Sequence, residues 1–234
     1  MSGLPALIRV GHKGADAIVA GNTLASFDAA LHAGVDMIEF DVLAERPDGD
    51  GELFVVHDHR ALARGGAPTL DAALAHLRTA AFGGIRLQVD LKRQGYEPRV
   101  LDALTTAGLR ERTLITTGEW RSLERVRSLD PSVRIGWTVP ATFGERSAQF
   151  ALRSLERLLR AGLPARAAER LRAGAIDALV PQWPLVTPAL VAAVLGAGGE
   201  LYAWTVDDPD VIRRLEGLGV TGVISNDPRL FAAA

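Results

Sequence analysis

The sequence predicts an α/β protein in which parallel strands alternate with helices around one large core. Three observations carry that expectation. Short apolar segments rich in β-branched residues alternate with amphipathic stretches of ten or more residues, the pattern of repeated strand–helix units. Segments such as LVP at 179–181 are continuously apolar, as strands covered on both faces are. The 234 residues suit one domain and approach the ~250 of a lean (β/α)8 barrel. Periodicity alone does not separate such a barrel from an open doubly wound sheet.

The first strand is expected at 7–10 (LIRV), followed by a helix whose Leu24, Phe27 and Leu31 share one face behind Thr23 as N-cap. MIEFDV at 37–42 and FVVH at 54–57 flank the turn cluster Arg46-Pro47-Asp48-Gly49-Asp50-Gly51. They are therefore expected to be two arms of one excursion after the second strand. LQVDL at 87–91 is then the third strand. TLITT (113–117), RIGWTV (134–139), DALVPQ (177–182), LYAWTV (201–206) and GVIS (222–225) complete a set of eight. A last helix, with Val211, Ile212 and Leu215 on its apolar face, follows Asp208-Pro209. No repeat, low-complexity tract or linker interrupts the series, so residues 1–234 are expected to form a single domain.

Composition narrows the function. With 48% hydrophobic and 23% charged residues the chain has an ordinary globular make-up. It contains no cysteine, so disulfides and thiolate chemistry are excluded, and a metal would have to be held by oxygen or imidazole. A net charge of -2 and a pI near 6.2 provide no basic field for nucleic acid. No basic region precedes an apolar stretch at the N-terminus, so no secretion signal is expected and the cytoplasm is the expected location. The longest uncharged run, Ala178 to Gly199, approaches membrane-spanning length, but Pro181, Pro184 and Pro188 divide it into a strand, a loop and a buried helix. Between Ala141 and Gly174 seven arginines stand against three glutamates. An outer helix with a solvated arginine face is the plainer reading of that segment, and a cover over the site or a contact with anionic lipid is the functional one.

The polar exceptions lie at the C-terminal ends of the strands: His12, Glu39 with Asp41, His57 with Asp58, Asp90 with Lys92, Glu119, Gln182 and Asp207. In a barrel these ends form one face, where charged groups must be solvated, paired or bound to metal. Glu39 and Asp41, two apart on a strand, point to the same side and offer hard oxygens to Mg2+ or Ca2+. Such a pair alone is more often a turn or cap feature. Asp90 adds a third carboxylate from the next strand, and Lys92 a cation for a phosphate oxygen. His12 and His57 together can act as general base and general acid near neutral pH, whereas either alone reads as a surface or core histidine. His32 and His76 fall within helices, and His59 lacks this company, so none of the three is assigned a role. Trp204 is expected to wall the pocket, a core position being the competing reading.

These residues resemble the glycerophosphodiester phosphodiesterases. That family opens on His-Arg-Gly, followed by Glu-Asn-Thr, Ser-Phe, Glu-x-Asp and His-Asp, and the counterparts here are His12-Lys13-Gly14, Asn22-Thr23, Ser26-Phe27, Glu39-x-Asp41 and His57-Asp58. Asp90-Leu91-Lys92 stands for its Glu-x-Lys, Trp204-Thr205-Val206 for its Trp-Thr-Val strand, and Gly222 to Pro228 for its closing motif. The resemblance implies a TIM barrel and hydrolysis of glycerophosphodiesters to an alcohol and glycerol phosphate with a divalent cation, Mg2+, Ca2+ or Mn2+. It makes Glu39, Asp41 and Asp90 metal ligands, His12 and His57 the acid–base pair, and Lys13, Lys92 and Trp204 substrate contacts.

Four departures stand out. Lys13 replaces the family arginine and Gly21 its glutamate, and lysine cannot reproduce a bidentate guanidinium clasp. Asp90 replaces glutamate, as in the related sphingomyelinase D-like lipases. Only ten residues separate Asp58 from Thr69, so most of the family's small helical insertion is missing. Asn226 stands where aspartate is common. The small-molecule substrate is thus expected to be a glycerophosphodiester or, alternatively, a lysophospholipid cleaved in the manner of a phospholipase D. An inactive barrel binding a phosphorylated metabolite is the third reading, and peripheral contact with a membrane is compatible with the first two.

Overall fold

The computed structural model describes residues 6–140 and 149–233. In chain order the strands are β1 (Ile8–Gly11), β2 (Met37–Ala44), β3 (Leu53–Val55), β4 (Arg86–Leu91), β5 (Thr113–Thr117), β6 (Arg134–Val139), β7 (Ala178–Pro181), β8 (Glu200–Ala203) and β9 (Gly222–Ser225). All but β3 run parallel, in the spatial order β1-β9-β8-β7-β6-β5-β4-β2, and β1 pairs again with β2. The sheet therefore closes into an eight-stranded (β/α)8 barrel. The ninth strand is the expected second arm: β3 pairs antiparallel with the end of β2, Val42 opposite Val55, across the 46–51 turn. The strands at 177–182 and 201–206 are shorter than expected. Each stops at the rim, where only an isolated bridge joins Gln182 to Trp204.

Period-two alternation sorts the side chains into two cores. Val10, Met37, Leu114, Ala178, Val180, Tyr202 and Ile224 fill the barrel interior. A larger apolar set, including Phe27, Phe40, Val89, Ile115, Leu123, Leu190 and Ile212, packs the outer strand faces against the helices. The interior is tight: a Cβ on Gly136 would meet Thr116 at 3.0 Å and Val180 at 3.3 Å.

Most of the described connecting helices begin on side-chain caps. Thr23 and Ser26 form a reciprocal capping box at the start of α1 (Leu24–His32). Asp58 caps α2 (His59–Ala63), which with a short loop is all that stands between Asp58 and Thr69, the cap of α3 (Leu70–Leu77). The insertion is thus reduced to five helical residues. His32 and His76 lie in α1 and α3 as expected. After α4 (Glu97–Thr106) and α5 (Trp120–Leu129) comes α6 (Gln149–Arg172); residues 141–148 before it and the side chains of 149–160 lie outside the described residues, and the expected cover or lipid contact largely falls there. In its described end Arg166 and Arg172 are exposed, as on a solvated face, whereas the half-buried Arg170 stacks its guanidinium 3.4 Å over the Trp120 ring. The run from 178 to 199 resolves into β7, a 3-10 turn and α7 (Pro188–Gly196), and Asp208 caps α8 (Pro209–Gly217). Among the described residues no helix is long and apolar enough to cross a membrane.

Candidate active site

Strand register assembles the acidic centre. β2 and β4 pair with Glu39 opposite Gln88 and Asp41 opposite Asp90, so alternation carries all four side chains into the barrel mouth. Like charges side by side on neighbouring strands repel unless a cation lies between them. Lys92 supplies it: its Nζ lies 2.5 Å from Asp41 Oδ1 and 2.7 Å from Asp90 Oδ2. Its backbone N–H and that of Arg93 donate to the Tyr96 hydroxyl, which donates in turn to the carbonyl of Val42. The lysine expected to meet phosphate is therefore held inside the carboxylate cluster.

Each carboxylate has a different surrounding. Asp41 is fully buried, accepts from the Asn22 amide at 2.8 Å, and donates its own backbone N–H to the Asn22 carbonyl oxygen at 3.1 Å. Asp90 Oδ1 accepts from the Thr116 and Thr138 hydroxyls at 2.7 and 3.1 Å, which turns Oδ2 to Lys92. Glu39 Oε2 accepts the backbone N–H of Lys13. Burial, reinforced by Asp41 and Asp90, pushes the Glu39 carboxyl well above the usual range. Burial acts on Asp41 too, but the Lys92 ammonium and the Asn22 amide outweigh it and hold that carboxyl down. For Lys92, burial is outweighed by the three carboxylates, which raise its pKa.

A divalent cation fits this donor set in charge and in kind. Three carboxylates and one ammonium leave excess negative charge in a buried place, and beside the Lys92 ammonium Asp41 Oδ1 has no hydrogen-bond donor. As the side chains stand, no three carboxylate or imidazole groups among the described residues converge into a finished cage. Lys92 occupies the space between two of them.

The two histidines flank this centre. His12 follows β1 and is largely buried, with Nδ1 2.5 Å from Asn226 Oδ1 and Nε2 3.8 Å from Glu39 Oε2. Burial lowers its pKa, the Asn226 contact opposes this in part, and Lys13 adds to it, so the imidazole favours its neutral form. His57 lies two residues beyond β3 and is 54% exposed, with Nδ1 3.2 Å from Asp58 Oδ2. Asp58 also accepts the N–H of Ala61, and these two contacts hold its carboxyl below the usual range.

Lys13 adopts a left-handed backbone at φ 50°, and its carbonyl accepts from the Ser26 hydroxyl. Its Nζ lies 3.9 Å from Asp16 Oδ2, while Asp16 Oδ1 accepts the N–H of Gly21. A Cβ at position 21 would lie 2.5 Å from Asp16 Oδ1 and 2.8 Å from Lys13 Cβ. Asp16 thus stands beside Lys13, and a side chain at position 21 would require it to move. Trp204 donates from Nε1 to the carbonyl of Val180 and presents its ring to the site.

His12, Lys13, Glu39, His57, Asp90, Lys92 and Trp204 line one cavity of about 150 Å³, with Gln88, Thr138, Val180 and Ile224 completing the wall. Asp41 lies behind Lys92. A second hollow of about 370 Å³ shares Lys13 and His57 and runs outward past Gly21 to Gly66. Sequence reasoning missed Gln88, Thr116, Thr138 and the role of Asn22. Only Asn22 carried a signal, its place in the Asn-Thr motif.

The sequence profile of the glycerophosphoryl diester phosphodiesterase family matches residues 12–106 and 86–230. The chain belongs to that family. The glycerophosphodiester phosphodiesterase of Caldanaerobacter subterraneus subsp. tengcongensis is 25% identical over 251 residues, covering 94% of this chain and 93% of that protein. Among solved structures, the glycerophosphodiester phosphodiesterase of Agrobacterium tumefaciens superposes with a TM-score of 0.73 at 22% identity, covering 98% of this chain and 100% of that one. An Oleispira antarctica phosphodiesterase, solved with the product sn-glycerol-3-phosphate, gives 0.70 at 19% identity, covering 98% and 96%. At such identities these structures share the fold with this family member. Its site residues follow from its own geometry.

Proposed function

We propose that this family member hydrolyses glycerophosphodiesters to an alcohol and glycerol phosphate at the cavity bounded by His12 and His57. The observation that carries the reading is the convergence, in one small cavity, of two imidazoles, carboxylates from β2 and β4, and the Lys92 ammonium. Glu39, Asp41 and Asp90 would hold a divalent cation, Mg2+, Ca2+ or Mn2+, whose contribution when bound is to offset negative charge on the phosphoryl oxygens. Lys92 then has its ammonium available to a phosphate oxygen, and Lys13 a second cationic contact. One histidine takes the proton of the attacking hydroxyl as its oxygen bonds to phosphorus; where that hydroxyl is the glycerol's own, a cyclic phosphate forms and one water must then open it to give glycerol phosphate. The other gives a proton to the oxygen of the leaving alcohol as the old P–O bond breaks. Trp204 packs its ring against the glycerol.

A second reading is supported by Asp90 and by the reduced insertion, which leaves the hollow beside His57 open. In it the same groups cleave a lysophospholipid in the manner of a phospholipase D. Assays with glycerophosphocholine, glycerophosphoethanolamine and lysophosphatidylcholine, each with Mg2+, Ca2+ and Mn2+, decide between them. Release of glycerol phosphate from the first two supports the proposal. Turnover of lysophosphatidylcholine alone supports the second reading, and turnover of none refutes both.

A further inference from the structure

Behind His12 lies a chain of polar groups that the proposed chemistry does not itself use. The pairing of β1 with β9 sets Gly11 opposite Ser225, and His12 donates its backbone N–H to the carbonyl of Ser225 at 2.8 Å. Positions 12 and 226 are therefore neighbours at the rim. Asn226 Oδ1 lies 2.5 Å from His12 Nδ1, and Asn226 Nδ2 donates to Asp207 Oδ2 at 2.6 Å. Asp207 is tied down in turn: Oδ1 accepts the backbone N–H of Asn226 at 2.8 Å and the hydroxyl of Ser225 at 3.0 Å.

Donor and acceptor capacity leaves one arrangement. A carboxylate only accepts, so the Asn226 end facing Asp207 must be the amide NH2. The reverse orientation would press two acceptors together at 2.6 Å with no proton between them. The Asn226 end facing His12 is then its oxygen, which also only accepts. His12 must carry its proton on Nδ1, and a neutral imidazole so held has a bare Nε2. Nε2 is the nitrogen on the Glu39 side, at the cavity.

We infer that Asp207 and Asn226 are positioning residues that set the tautomer of His12, presenting a bare Nε2 to the cavity and making His12 the base of the pair. His12 then accepts the proton of the attacking hydroxyl at Nε2, and His57 supplies the proton to the leaving alcohol. The same logic accounts for asparagine at 226. Beside Asp207 that position needs a donor at one end and an acceptor at the other, and an aspartate there would bring two carboxylates together. The tautomer itself does not depend on the proposed hydrolysis, but its effect on turnover does.

The test reads the ring nitrogens of His12 by long-range proton–nitrogen NMR on the 15N-labelled full chain in alkaline buffer, with His12→Gln assigning the signals. Wild type should show a protonated Nδ1 and a bare Nε2. Asp207→Asn should turn the relay over. Its amide oxygen keeps the two donors at Oδ1, its NH2 faces Asn226, that amide rotates, and His12 becomes protonated on Nε2. Turnover of glycerophosphodiester should fall by roughly 10²-fold in kcat with KM little changed, the size of effect a misplaced general base produces. The exchange Asp207→Asn/Asn226→Asp restores a donor facing an acceptor and should recover both the wild-type tautomer and most of kcat. A wild-type Nε2–H tautomer, an unchanged tautomer in Asp207→Asn, or an exchange variant that recovers neither overturns the inference. If the tautomers behave as described while the wild type hydrolyses no glycerophosphodiester, the relay stands and the proposed function falls.

Discussion

Replacing Lys92 by methionine should destabilise the protein and sharpen its response to divalent cations. The ammonium touches Asp41 Oδ1 at 2.5 Å and Asp90 Oδ2 at 2.7 Å. Those two oxygens can be no further apart than about 5 Å, since both touch the same nitrogen. With the ammonium gone, two negative charges at ~5 Å repel by about 3 kcal/mol at an effective dielectric constant near 20. Loss of the buried pair itself works in the same direction. For a chain of this size ~3 kcal/mol corresponds to roughly 6–12 °C in melting temperature. The assay is thermal unfolding of wild type and Lys92→Met in chelator, then across a titration of Mg2+ or Ca2+. The variant should melt lower in chelator and gain more from added cation, because the carboxylates have lost their internal counterion. Equal melting temperatures in chelator, or equal gains with cation, would refute the account of Lys92 as that counterion.

Three further outcomes are expected. His12→Ala and His57→Ala should each lower kcat by roughly 10²-fold or more with the fold intact, while His59→Ala, whose Nε2 contacts the carbonyl of Ala44, should do little; a His57 variant with near-normal turnover removes it from the mechanism. Asp90→Asn should be inactive at ordinary Mg2+ and partly rescued by excess, because its amide loses the negative charge and turns a donor toward Lys92 or toward Thr116 and Thr138, whereas Asp90→Glu keeps the carboxylate and measurable activity with an altered metal preference; wild-type metal dependence in Asp90→Asn sinks the three-carboxylate site. At Asp130 the Ser132 hydroxyl and then the Arg110 guanidinium hold the carboxyl down at about 2. This folded value lies below the unfolded one of ~3.9, so the stabilisation is fully present above about pH 4 and is lost as pH falls through the folded pKa. The gap in melting temperature between wild type and Asp130→Asn should therefore be constant near neutrality and shrink in acid, and a gap that widens in acid contradicts the assignment.

Much of the molecule was legible in the chain because the forces that order it locally have short periods. Apolar runs and amphipathic stretches mark strands and helices through spacings of two and 3.6 residues, and Thr23 and Asp208 announce helix starts through hydrogen bonds only two or three residues long. The rim residues were visible for the same reason, since a charged group ending an apolar strand stands out against its neighbours. The 46–51 turn correctly separated β3 from the barrel proper. Spacing could not show which group faces which across strands. The closure of β1 on β2, the register that sets Asp41 beside Asp90 with Lys92 between, and the left-handed Asn22 that clamps Asp41 from nineteen residues away all depend on contacts between distant segments. Asp16 could be recognised as the partner of Lys13 only once the space at Gly21 was known. The proton on His12 is set by a residue 214 positions along the chain, which only barrel closure brings within hydrogen-bonding distance.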